Sequence, residues 1–88
     1  MIVGKVINRV VSTRKYQELQ GYKLLVIQPC YGSKELFVAA DTMGAGQGEF
    51  VLVSTGEAVQ HALTRSAPID AIVVGILDND PSTLEEGR

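Results

Sequence analysis

Apolar positions along the chain gather into five short runs, separated by polar or glycine-rich stretches. Residues 2–11, IVGKVINRVV, are rich in Val and Ile, with Ile2, Val6 and Val10 on one face and Lys5 and Arg9 on the other. That alternation is the signature of a half-buried strand, and β-branched side chains suit its pleated surface. Residues 12–21, STRKYQELQG, are polar, end in glycine and read as a loop. The second run, residues 22–28, is apolar on both faces across Leu24 to Ile27, which predicts a strand covered on both sides. Pro29 offers no N–H donor, so it ends that strand or puts it at an edge. Residues 36–40, 49–54 and 71–77 are three further strands.

Between the fourth and fifth runs the period changes. In GEAVQHALTR, residues 56–65, Ala58, Val59, Ala62 and Leu63 would share one face of a short helix. Ser54 and Glu57 have capping-box spacing, which would satisfy orphan N–H groups at the helix start, and Pro68 lies beyond its end. The expected fold is mainly β: a small, five-stranded, OB-like and partly open β-barrel with one short helix between strands four and five. The standard OB topology places its helix one strand earlier, hence OB-like. Residues 1–78 read as a single domain, and residues 79–88 as a polar, mobile tail with little to bury.

Composition adds a problem of surplus. A chain of 88 residues buries a thin core, yet 45% of its residues are hydrophobic. Burial against other subunits is one way to cover the excess, since small domains without disulfides or metals often oligomerise. The single cysteine, Cys30, excludes an intramolecular disulfide, and no Cys/His spacing suits zinc. No run reaches the roughly 18 apolar residues of a membrane span. A formal net charge of -2 gives no general attraction to nucleic acid or anionic membranes.

The segment between strands three and four carries the strongest local signal: Gly44-Ala45-Gly46-Gln47-Gly48, followed by Glu49. A phosphate-binding P-loop needs a Lys and a Ser or Thr after its last glycine, and none follows Gly48 in that register. A dinucleotide fingerprint needs G-x-G-x-x-G opening a helix, whereas the spacing here is G-x-G-x-G and a strand follows. Two readings remain. The loop is a plain connection whose glycines permit tight turns, or it is a place where backbone packs on backbone at an interface.

The wider string VAADTMGAGQGEFVL, with its D-x-x-G-A-G-x-G-E pattern, resembles the signature of the bacterial microcompartment vertex-protein family, the EutN/CcmL type. MIVGKVINRVVSTRK resembles that family's opening strand and T-R-K, and residues 19–25 resemble its L-x-G-x-K-L-L. Residues 67–78 resemble its closing A-P-x-D…V-x-G-I-x-D. The resemblance implies a homopentamer that closes the vertices of an icosahedral shell in the bacterial cytoplasm. Hexameric shell proteins form the facets and meet it there. It implies no catalysis and no cofactor, and no role with nucleic acid or membrane. Under it, Gly44, Ala45, Gly46, Gln47, Gly48 and Glu49 belong to a subunit interface or five-fold pore loop. Thr13, Arg14 and Lys15 would face the hexamers. Family members often continue after the fourth strand as G-S-S-A-R, whereas this chain has Gly56-Glu57-Ala58-Val59-Gln60, without the basic residue.

Two rival classes have candidate residues. An OB-type single-stranded nucleic-acid-binding module would use Arg14, Lys15, Lys23 and Lys34 with Tyr16, Tyr22, Tyr31 and Phe37 as stacking platforms. The acidic balance weighs against it. A small enzyme would depend on His61, the only histidine, with Asp41, Asp70 or Asp78. No nucleophile motif supports that reading, and aspartate is a common turn and capping residue. Cys30 has no neighbour expected to activate it and reads as an inert thiol.

Overall fold

A computed structural model describes residues 1–11, 17–19, 21–63 and 67–78. Five strands follow in chain order: β1 (Ile2–Arg9), β2 (Lys23–Pro29), β3 (Phe37–Asp41), β4 (Phe50–Thr55) and β5 (Ala71–Leu77). All five predicted strands are present, with ends shifted by a residue or two at most. They form a closed barrel in the neighbour order β1-β2-β3-β5-β4. β5 slots between its two predecessors, parallel to β3 and antiparallel to β4.

The barrel is closed where a partly open one was expected. β1 pairs with β4 from Ile2 opposite Val53 to Lys5 opposite Phe50. The seam continues past the strand end, because Val6 N–H donates to the Glu49 carbonyl at 2.9 Å and Gly48 N–H donates to the Val6 carbonyl at 2.8 Å. The short seam is β3–β5, where Ala40 lies opposite Ile72 and Asp41 opposite Val73.

Two bulges correct simple alternation. Ile7 is the extra residue in β1, between Val6 opposite Ile27 and Asn8 opposite Val26. Beyond it the inside and outside positions exchange, so Val10, predicted to share a face with Val6, is exposed. Val74 is the extra residue in β5, between Val73 opposite Val53 and Gly75 opposite Leu52. Val73 and Ile76, three apart, can then both pack on the barrel interior.

The apolar residues form two clusters. Val6, Leu25, Ile27, Ala39, Val51, Val53, Ala71 and Val73 fill the barrel, joined by Ala45 from the glycine-rich loop. Burying each Val, Leu or Ile contributes roughly 1.5–3 kcal/mol. The second cluster covers the outside of the β3–β5 seam: Val59, Ala67 and Ile69 pack over Ala40 and Ile72, with Tyr22 beside them. Leu24 flanks that cluster, but it and Val26 are only half-buried, so β2 is covered less fully on its outer side than its sequence implied.

The predicted helix is a 3₁₀ helix, Glu57–Ala62. The capping box does not form: Gly56, with φ of +93°, is the N-cap and no side chain caps the turn. Ser54 is held inside β4 opposite Ile72, too early to reach the helix start. The tight winding and short length also narrow the buried face. Val59 is buried and Leu63 half-buried, while Ala58 and Ala62 are exposed. A single 3₁₀ turn, Gln17–Leu19, lies within the stretch read as loop.

Candidate functional site: the loop joining β3 to β4

Asp41 ends β3, and its side chain is wholly buried. Its Oδ1 accepts the Met43 N–H and its Oδ2 the Ala45 N–H, both at 2.8 Å. The carboxylate thus folds the chain back on itself, as short acceptor side chains do in turns. Lys23, at the start of β2, places its Nζ 3.7 Å from Asp41 Oδ2 and donates to the Ala45 carbonyl at 2.8 Å. Pinned at both its N–H and its carbonyl, Ala45 carries its methyl into the barrel core.

The second half of the loop is tied separately. Gly46 N–H donates to Glu49 Oε1 at 2.6 Å, and Glu49 N–H donates to the Gly46 carbonyl at 3.1 Å. Gly44 and Gly48 have φ of +86° and +88°, a region that strains any residue with a Cβ. Gly46 has no such requirement, and a Cβ there would meet only Glu49 Oε1, at an ordinary 3.4 Å.

These bonds decide what the loop can bind. The N–H groups of Met43, Ala45, Gly46, Gly48 and Glu49 are all spent within the subunit. A phosphate cradle needs such groups turned outward. The loop instead presents Met43, Gly44, Gln47, Gly48 and Glu49 as a tethered, low-relief surface.

Among the described residues, the rival constellations do not assemble. Tyr22 is buried in the outer cluster and Phe37 packs against the barrel core, so neither is an exposed stacking platform. Lys23 is engaged by Asp41 and Ala45. Tyr31 and Lys34 are exposed, while Thr13, Arg14, Lys15 and Tyr16 lie outside the described residues, as does the tail 79–88. Asp41 is committed to the loop, and His61, Asp70 and Asp78 are exposed on separate segments. Among the described residues, no group of three or more His, Cys, Asp or Glu side chains is arranged to hold a metal. Among those same residues, no helix is long and apolar enough to cross a membrane.

One organising side chain was invisible in the sequence. Gln60 Nε2 donates to the carbonyls of Ala67 and Ile69, each at 2.8 Å, and fastens that segment over the β3–β5 seam. Its only signal was a polar residue beside Val59.

Comparison with known proteins extends the match beyond this loop. The family model described as "Ethanolamine utilisation protein EutN/carboxysome" matches residues 1–78. The carboxysome shell vertex protein CcmL of Thermosynechococcus vestitus is 46% identical over 83 residues, covering 89% of this chain and 84% of that protein. The bacterial microcompartment shell vertex protein GrpN of Rhodospirillum rubrum is 43% identical over 83 residues, covering 89% and 93%. The solved structure of that organism's GrpN, described as a pentameric microcompartment shell protein, superposes with a TM-score of 0.79 over 90% of this chain and 95% of its own at 43% identity. Nostoc CcmL superposes with a TM-score of 0.81 at 41% identity, over 91% and 92%. From the opening strand through the tethered loop to β5, this chain belongs to the EutN/CcmL family.

Proposed function

We propose that this protein is a structural subunit, five copies of which form a ring that closes a vertex of a bacterial microcompartment shell. The observation that carries the reading is the likeness, along nearly the whole chain and at 43% identity, to a shell protein solved as a pentamer. Its location is the shell, within the bacterial cytoplasm. The ring meets hexameric shell proteins at its perimeter, with Thr13, Arg14 and Lys15 facing them, and it has no catalytic task. The closed barrel supports such a role physically. Among the described residues it leaves only short stretches of sheet edge for open-ended strand addition, so copies meet chiefly through side-chain surfaces and can close a defined ring.

The interface at residues 44–49 is part of the same proposal. Internal hydrogen bonds fix this loop before assembly, so docking costs little additional ordering. Gly46 provides the test, because a side chain there has room within its own subunit. Gly46→Trp is expected to fold with a melting temperature within a few degrees of wild type but to lose the pentamer. Thermal melts and native mass spectrometry on one sample separate the two effects. Normal pentamers from Gly46→Trp would remove the loop from the interface.

A further inference from the structure

β3 is paired along its whole length on one side and along only part of it on the other. Phe37 to Asp41 all lie opposite residues of β2, but only Ala40 and Asp41 lie opposite β5. Continuing that parallel register would set Phe37 and Val38 against Ile69 and Asp70. Both of those are held elsewhere. The Asp70 carbonyl accepts the Gly56 N–H at 2.9 Å, and the Ile69 N–H donates to the Ala67 carbonyl at 2.8 Å. Gln60 Nε2 holds the Ile69 carbonyl, and the Ile69 side chain packs into the outer cluster. The seam therefore stops short, and a cleft of about 520 Å³ lies at the gap, lined by Phe37 and Val38 of β3 and by Asp70 and Ala71 where β5 begins.

We infer that this gap is a strand-addition site for a short extended peptide of a partner protein, apolar at alternate positions and bearing Lys or Arg. The backbone gives the first reason. Successive residues of a paired strand turn their N–H and C=O groups to opposite sides, so at least one of Phe37, Val38 and Ala39 offers both groups to the gap. Main-chain pairing with such an edge is how sheets capture extended peptides. The walls give the second. Leu36 and Val38 are 51% and 47% exposed and lie together in this one concavity, where a strand would bring every second side chain to them. Charge gives the third. Glu35 and Asp70 are among the described residues that line the cleft, and no Lys, Arg or His is. That favours a basic occupant and disfavours the chain's own residues 79–88, which carry Asp80, Glu85 and Glu86 against Arg88 alone.

The cleft volume falls within the roughly 300–1,000 Å³ of ligand sites, and the unpaired stretch of β3 limits the occupant to a short segment. The gap lies at the barrel end opposite residues 44–49, so peptide capture is a property beyond ring closure.

The test pans the full chain, in the assembly it forms, against displayed random heptapeptides, and measures resynthesised hits by fluorescence anisotropy. Enrichment of alternating apolar sequences with Lys or Arg is expected, with added hydrogen-exchange protection at Phe37–Ala39 on binding. Methylating alternate amide nitrogens of the peptide should abolish binding in one register and spare it in the other, which docking through side chains alone would not do. Glu35→Lys with Asp70→Lys changes two exposed side chains. That variant should melt within a few degrees of wild type yet bind the basic peptide about tenfold more weakly, and Glu in place of the peptide's cations should restore the affinity. No enriched peptide, or one indifferent to the charge reversal or to the methylation register, would overturn the inference. A cleft covered by a second copy would yield no peptide while pentamers still form, which separates this failure from a failure of the proposed ring.

Discussion

Asp41→Ala is expected to lower the unfolding free energy by roughly 3 kcal/mol, the largest loss anticipated from any single polar side chain here. The carboxylate accepts the Met43 and Ala45 N–H groups and stands beside the Lys23 ammonium. Removing it orphans the Ala45 N–H, which is buried. A buried donor left without an acceptor costs about 1–3 kcal/mol, and bonds to a charged acceptor are worth more than neutral ones. The Lys23 side chain is 41% exposed, so in Asp41→Ala water can take the place of the carboxylate at its ammonium. Lys23→Met leaves the buried Asp41 carboxylate without its cation but with both N–H donors, and is expected to cost about 1–2 kcal/mol, less than Asp41→Ala. For a domain of this size, 3 kcal/mol corresponds to a fall in melting temperature on the order of 10–20 °C. Urea unfolding checks the free energy directly. An Asp41→Ala protein within 0.5 kcal/mol of wild type, roughly the scatter of a neutral surface change, would show that the loop does not depend on this carboxylate.

Gly4→Ala is the second, with an expected loss of about 2 kcal/mol from a single added methyl. Gly4 is buried in β1, between Pro29 of β2 and Val51 of β4. A Cβ there would fall 2.4 Å from Ile27 Cγ2 and 3.0 Å from the Gln28 carbonyl oxygen. The first atom belongs to a stiff β-branched side chain in the barrel core, and the second is backbone, so neither yields cheaply. The usual small gain from replacing a strand glycine does not offset a clash of that size. A double-mutant cycle isolates the cause. In an Ile27→Ala background Cγ2 is gone, and Gly4→Ala should cost at least 1 kcal/mol less than it does alone. Strict additivity would place the strain elsewhere.

These two residues show how differently the sequence speaks about fold and about detail. Strand positions were legible because apolar runs of four to eight residues, punctuated by Pro29, Gly21 and the 44–48 glycines, leave little choice of element. The closed seam, the Ile7 and Val74 bulges and the parallel β3–β5 pairing were not, because they depend on register between distant strands. The helix was placed correctly but wound too loosely, and its capping box was spacing without geometry, since Ser54 is spent in β4. In the candidate site, Asp41 was readable as a turn-former, whereas Glu49 was placed in the loop only through the family resemblance and its bond to Gly46 was not foreseen. Lys23 and Gln60 were not readable, because their targets, Ala45 and the 67–69 carbonyls, lie 22 and up to 9 residues away. A side chain at Gly46 has room within the subunit, whereas Gly44 and Gly48 are required by their backbone conformation.

A single mass tests whether copies of this chain close the proposed ring. Native mass spectrometry of the wild-type chain, at low and at high ammonium acetate concentration, should give one dominant species at five times the subunit mass in both. An assembly held mainly by apolar contact resists salt, whereas one held by charge does not. A monomer or an isologous dimer under both conditions would contradict the account at its centre.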